Sequence, residues 1–451
     1  MRQVILMLSI GYFISSSLCA QSLAPVGGGE HIFSKAEECI TEDQRQESQL
    51  ISAANSKRLH AAGVMPPPDR SSTTSFEWPM QAHPDLVYNS YYAISNYVDQ
   101  DPTDSIGDYN CQSRSYDDHR GTDYFTWPFD WYLKDNDLVE VIAAADGTII
   151  FHQEDQDDDH CNCFGLWNAI YLEHSDGSIS WYGHLKKNSL TSKQVGDQVV
   201  TGEYLGVLAS SGCSTGPHLH FEVYESLPYT FANLIDPYEG NCNSLNTDSW
   251  WADQQNYVEP TLNAALTHDA APMMGCPSIL EEPHFADTFY TDQIVYTAAY
   301  YRDQQQGGLT THTLRRPDNS IYTSWIHDSP QSYVSSYWYW TWNLGSAPYG
   351  EWIYEVSYAG TSDTHTFAYL DIDCQNPGVN VYVGPLTGMW NDDNNWSRGF
   401  SPKTCDDVII PTGHTVIVLA GETASCDLLD VLTGATLDVH LGGELDVNSE
   451  G

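Results

Sequence analysis

The sequence predicts a mainly β protein: an antiparallel β-sheet domain, then a β-sandwich, then a C-terminal β-repeat module. Three observations predict it. Short apolar strands from Phe76 to about Cys242 meet at Asp-Gly, Gly-Asp or lone Gly turns. Strands rich in Tyr, Trp and Thr recur at regular spacing over 277–374. From about Val381 short Leu/Val strands recur at Gly-rich corners. A chain of 451 residues is too long for one ordinary core, and about two to four domains are expected.

Residues 1–20 read as a signal peptide. Arg2 precedes an apolar run from Val4 to about Ile14, and small residues follow up to Ala20. The run is short for a bilayer, and no later segment is long and apolar enough, so stable membrane insertion is not expected. Residues 21–75 read as a leader, a helix and a linker. "SLAPVGGGE" looks flexible. Thr41 to about His60 reads as a helix, with Thr41 and Gln44 as a capping box and Gly63 at its end. "MPPPDRSSTTS" reads as the linker.

In the segment 76–242, "LVEVIAAADGTIIFH" holds two strands about Asp146-Gly147. "GLWNAIYLEHSDGSISWYGHL" is a hairpin turning at Asp176-Gly177. The acidic run Gln153–Cys163 reads as a solvated loop pinned by a disulfide; a calcium loop is the alternative, although no ligand ladder is present. In 277–374, Trp338, Trp340 and Trp342 share one strand face. They read as packing residues, with a glycan-stacking platform as the alternative, so glycan contact through the β modules is a candidate interaction. Cys276 and Cys374 bracket that segment and could staple its ends. The span 381–451 forms the last module.

Without Cys19, the eleven cysteines become ten, an even number that suits disulfides in an exported chain. The formal charge of −44, from 61 acidic and 17 basic residues, excludes nucleic acid and anionic membrane surfaces as natural partners.

Chemistry concentrates in one constellation. In "STGPHLHFEVY" the alternation of a strand puts His218, His220 and Glu222 on one face and Leu219, Phe221 and Val223 on the other. Upstream, "HRGTD" supplies His119 and Asp123, and "SWYGHL" places His184 near a strand end. Histidines and an aspartate from separate strands suit an open zinc site. Three protein donors there leave a fourth position for water.

These motifs resemble the M23 family of zinc metallopeptidases, the lysostaphin- and LytM-like endopeptidases. H-x-G-x-D, D-G-T-I-I, H-x-D-G, Y-G-H-L, G-D-x-V-x-x-G and S-T-G-P-H-L-H-F-E-V occur in family order across roughly 76–240. The resemblance implies an antiparallel sheet with a groove over it. It implies one Zn²⁺ per chain on His119, Asp123 and His220, with His184 and His218 as catalytic residues. The implied substrate is a peptide bond in peptidoglycan. A secreted protein substrate, a non-catalytic LytM-type regulator and a cell-wall-binding protein are the alternatives. Regulators usually lack a ligand, and none is missing here. Some members of the family are held latent by a segment that covers the groove and supplies a ligand. Residues 21–75 could do so through His31, His60 or a carboxylate. The favoured expectation is instead a structural helix on the back of the domain, tied down by a disulfide at Cys39.

Overall fold

Alternation along His218–Tyr224 organises the central sheet. This strand lies between Ile179–Gly183 and Gly121–Thr126 in an eight-stranded sheet of order Gln198–Val199, Gly147–Gln153, Ala169–Glu173, Ile179–Gly183, His218–Tyr224, Gly121–Thr126, Tyr92–Asn96, with Leu234–Ile235 pairing beside His218–Tyr224. The computed structural model describes residues 21–31, 39–103, 105–276, 280–371 and 377–447. The expected signal peptide lies outside these residues. Mainly β architecture holds through the described chain. Among the described residues no helix is long and apolar enough to cross a membrane.

One face of the central sheet buries Leu219, Phe221, Val223, Ile149, Ile170 and Leu172. They pack against a three-stranded sheet of Met80–Ala82, Val139–Ile142 and Tyr204–Val207. The hairpin at Asp176-Gly177 pairs Ala169–Glu173 with Ile179–Gly183 as expected. The opposite face carries Trp181, Tyr171 and Tyr224, together with Cys39, Ile40 and Leu59 from the N-terminal segment.

Helix α1 (Glu42–Ala61) forms with the expected capping box at Thr41 and Gln44, and Gly63 follows its end with φ +72°. Its buried stripe is Arg45, Ser48, Ser52, Ser56 and Leu59, while Leu50 and Ile51 face solvent. The helix therefore does not dock through an ordinary apolar stripe. Polar links hold it to the sheet domain. Asn55 Nδ2 donates to Ile150 O at 3.0 Å, Tyr229 N donates to Gln49 Oε1 at 2.8 Å, and His60 Nε2 meets Glu173 Oε1 at 2.8 Å.

Two expectations for the leader are corrected. It is not a free tether, because Gly27–Glu30 pairs antiparallel with Ser335–Trp342 and Gln21–Ser22 pairs parallel with Ile321–Asp328. Unpaired edges of the sandwich sheets accept these short strands. Nor does α1 pack on the back of the domain: it lies on the face that carries His220 and Glu222.

The sandwich has a six-stranded and a four-stranded sheet. Its first central strand is Thr261–His268, which pairs with Val295–Arg302, so the sandwich begins before residue 277. Ala264, Leu266, Ala298 and Tyr300 join Ala93, Phe125, Trp127 and Phe129 in a core shared with the sheet domain. Trp340 is buried, and Trp338 and Trp342 are half-buried. The three indole N–H groups donate to Gln304 Oε1, Leu23 O and Thr297 Oγ1 at 2.9, 3.3 and 2.8 Å. That is internal packing. In the last module the strands pair in parallel, the first two with partners 28 residues further on (Val379 with Asp407, Thr387 with Thr415) and the next three with partners 21 residues further on (Val408 with Leu429, Thr415 with Thr436, Thr423 with Glu444). Val408, Ile410, Val416 and Val418 fill the coil.

The disulfides are Cys111–Cys242, Cys161–Cys276 and Cys163–Cys213, and Cys405 is also bonded. Cys276 thus ties the acidic loop to the start of the sandwich rather than stapling the sandwich's own ends; Cys374 lies outside the described residues. The acidic loop is pinned, as expected, and by two bridges. Cys39 forms no disulfide; it and Cys426 are buried free thiols.

Candidate metal centre and active site

The five residues singled out in the sequence converge at one end of the central strand. Register does much of this. His220 stands opposite Asp123 across the ladder to Gly121–Thr126, and Gly183, which precedes His184, stands opposite His220 on the other side. His119 comes in from the loop just before Gly121–Thr126. The glycine of H-x-G-x-D has a steric reason: a Cβ on Gly121 would sit 2.6 Å from the His220 ring.

Asp123 Oδ1 lies 2.9 Å from His220 Nδ1 and 3.2 Å from His119 Nε2. These two nitrogens are 3.4 Å apart. The far side of each group is already engaged. His119 Nδ1 donates to Tyr97 O at 2.7 Å, His220 Nε2 donates to Glu222 Oε2 at 3.0 Å, and Asn96 Nδ2 donates to Asp123 Oδ2 at 3.0 Å. One lone pair from each of the three groups therefore faces a common point, with outer partners fixing tautomer and orientation. Two imidazole nitrogens and a carboxylate oxygen form a donor set that suits Zn²⁺.

His184 and His218 flank this set, with ring centroids 4.3 Å apart. His184 Nδ1 donates to Ser211 O at 2.6 Å and His218 Nδ1 donates to Gly216 O at 2.8 Å. Both Nε2 atoms are buried without a hydrogen-bond partner, and His218 Nε2 lies 3.6 Å from Asp123 Oδ1. Each ring thus offers one free nitrogen to the site. His184 holds a left-handed backbone, φ +62°, a conformation uncommon for a residue with a side chain.

Electrostatics separate the groups. Burial works against a charged His119, but the Asp123 carboxylate outweighs it and lifts the pKa to about 9. Burial would raise Asp123, yet His119 and His218 hold it well below the usual carboxylate range. His184 is pushed down, first by burial and then by the charge of His218. Glu222 is held at about 2: burial opposes its charge, and Arg45 and then His220 overcome it.

Four residues near the site carried no assignment in the sequence. Glu222 orients His220, and strand alternation had placed it on the right face. Arg45 of α1 forms a buried ion pair with Glu222, donates to Tyr224 Oη at 2.6 Å and lies 5.1 Å from the Trp181 ring. Asn96 had no sequence signal. Cys39, whose Sγ is 2.9 Å from Tyr116 Oη, sits in two clusters of potential ligand atoms, each within 4.8 Å of one another. One is Cys39, His119, Asp123 and His220; the other is Cys39, His184 and His218. His31 and His60 stay away: His31 stacks on Trp127 at 4.8 Å, and His60 pairs with Glu173.

Sheet and donor set together define a β-sheet domain with a histidine–aspartate cluster of metal-binding type. Residues 129–237 match the sequence model of peptidase family M23. The matched span contains His184, His218 and His220; strand pairing brings His119 and Asp123 to it from outside. The chain is 38% identical over 82 residues to the DD-carboxypeptidase/endopeptidase Mpg of Neisseria meningitidis, covering 18% of this chain and 16% of that protein. It is 33% identical over 104 residues to the peptidoglycan DD-endopeptidase ShyC of Vibrio cholerae, covering 23% and 19%. The chain thus matches under a fifth of the length of either relative. Among solved structures, the catalytic domain of lysostaphin from Staphylococcus simulans aligns at 26% identity over 26% of this chain and 75% of that one, with a TM-score of 0.20.

Proposed function

We propose that this chain is an exported zinc metallo-endopeptidase that hydrolyses peptide bonds in peptidoglycan cross-links. The observation that carries the reading is the convergence of His119 Nε2, Asp123 Oδ1 and His220 Nδ1 beside two histidines with free Nε2 atoms. His119, Asp123 and His220 hold one zinc ion. Zinc supplies Lewis acidity and a water of lowered pKa at neutral pH. His218, oriented by the Gly216 carbonyl, receives the proton from the attacking water at Nε2 and passes it to the leaving amine. His184, anchored on Ser211 O, donates from Nε2 to the oxygen that becomes negative as the carbonyl turns tetrahedral. The N-terminal sequence and the disulfides support export. The complete donor set favours an enzyme over a non-catalytic regulator. ShyC is named a peptidoglycan DD-endopeptidase, which favours the cell wall over a secreted protein as substrate.

The test joins metal analysis to prolonged digestion of purified peptidoglycan, read by mass spectrometry. The expected result is one zinc per chain and new peptide ends, with His218→Ala and His184→Ala keeping the metal but releasing no products. A folded, metal-replete preparation without zinc would overturn the site. A zinc-loaded protein that leaves peptidoglycan intact but cleaves an exported protein would overturn the substrate.

A further inference from the structure

We propose that Cys39 is a fourth protein ligand of the same metal, a thiolate that occupies the position a substrate-activating water needs. The inference rests on the metal-site reading above and adds a ligand that the sequence motifs do not contain.

Position carries it. Cys39 Sγ lies among the potential ligand atoms of His119, Asp123 and His220, and also among those of His184 and His218. It therefore stands where the metal donors meet the two catalytic candidates. A reacting atom has to sit at that junction during hydrolysis. A soft thiolate completes a His₂-Asp set to the four-coordinate arrangement zinc adopts in closed sites.

Closure is an independent sign. His119, Asp123, His184, His218 and His220 are 2, 2, 0, 4 and 1% exposed. A peptide chain has no approach to groups buried to that degree. The segment that carries Cys39 is part of the cover, together with the Tyr116 ring 4.2 Å from His119 and the Trp167 ring 5.2 Å from His184. The capping box fixes the start of α1 at Thr41, two residues beyond the thiol. One turn later Arg45 clamps the helix to Glu222, the carboxylate that orients His220. The helix then runs over the aromatic face of Tyr171, Trp181 and Tyr229. Its buried side is mostly serine, so little apolar surface resists its departure. Opening would withdraw the Cys39 thiolate, which would take up a proton from solvent, and would leave its position among His119, Asp123 and His220 to water. No oxidant or reductant is required.

The test uses the full chain loaded with Co²⁺, whose thiolate complexes show an intense near-ultraviolet charge-transfer band. The band is expected in the wild type and in Cys426→Ser, and it is expected to vanish in Cys39→Ser while cobalt content stays at one per chain. Cobalt bound at one per chain with no such band in the wild type would overturn the thiolate ligand and leave the His119–Asp123–His220 site standing. A folded wild type that binds no cobalt would overturn both. Should Cys39→Ser fail to fold, alkylation of the wild type by iodoacetamide, mapped by peptide mass spectrometry, decides the matter. Cys39 is expected to react at least tenfold more slowly with cobalt bound than after chelation. Equal rates would overturn the proposal.

Discussion

The strand His218–Tyr224 has two faces with opposite economies. Leu219, Phe221 and Val223 point into an apolar core closed by a second sheet. His218, His220 and Glu222 point into a polar cluster closed by α1 and Cys39. Both faces are fully buried, yet different forces bury them. The first is held by area removed from water and by close packing. The second is held by paired charges and oriented hydrogen bonds, which are stable only while every partner stays in place. A core face is permanent, whereas a face sealed by a serine-lined helix and one buried ion pair can be uncovered.

The largest expected effect is on the core face. Phe221→Ala removes a fully buried ring and is expected to cost about 3–5 kcal/mol of global stability, measured by denaturant unfolding. A loss under about 1 kcal/mol would show that this face is not the domain's main core.

Arg45→Met is expected to cost about 3 kcal/mol, because it leaves Glu222 buried without its partner. The loss should be local. Hydrogen exchange in α1 should accelerate while exchange in the sandwich strands stays unchanged; uniform acceleration would erase the contrast between the faces. The same pair predicts acid sensitivity. Glu222 sits at about 2 when folded, against an ordinary 4.5. A carboxyl with a lowered folded pKa contributes its full stabilisation above the unfolded value and loses it as pH falls. Protection of α1 should therefore decline between about 4.5 and 2 in wild type, and that component should be missing in Arg45→Met.

Smaller effects sharpen the picture. Glu222→Gln keeps the shape but weakens the hold on the His220 tautomer, and metal affinity should fall about 10–100-fold by competition with a chelator. Thr41→Ala removes the cap of α1 and should cost about 1 kcal/mol, seen as faster exchange in the first helical turn only. An unchanged first turn would mean that docking, not capping, fixes where the helix starts.

Much of the site was legible because its signals are short. Strand alternation placed His218, His220 and Glu222 on one face without any knowledge of the sheet. Asp-Gly turns marked the hairpin that delivers His184. The capping box marked the start of α1 to within a residue. Asn96 escaped notice because its role depends on reaching Asp123 Oδ2 from a neighbouring strand. The disulfide expected at Cys39 failed for a related reason: an even number of cysteines remains even when two stay free.

By itself the sequence determined what is local: which segments are strands, where α1 begins, which side chains share a face, and which donors suit a metal. Backbone geometry and side-chain period act over a few residues, so neighbours in sequence suffice to read them. Only the tertiary structure decided that α1 lies on the polar face, that Cys161 pairs with Cys276, that the leader completes the sandwich edges, and that a thiol from residue 39 meets a histidine at residue 220. Those contacts join residues far apart in the chain. They are selected by where buried charge finds a partner and where sheet edges remain unpaired, conditions that exist only once the sheets have closed.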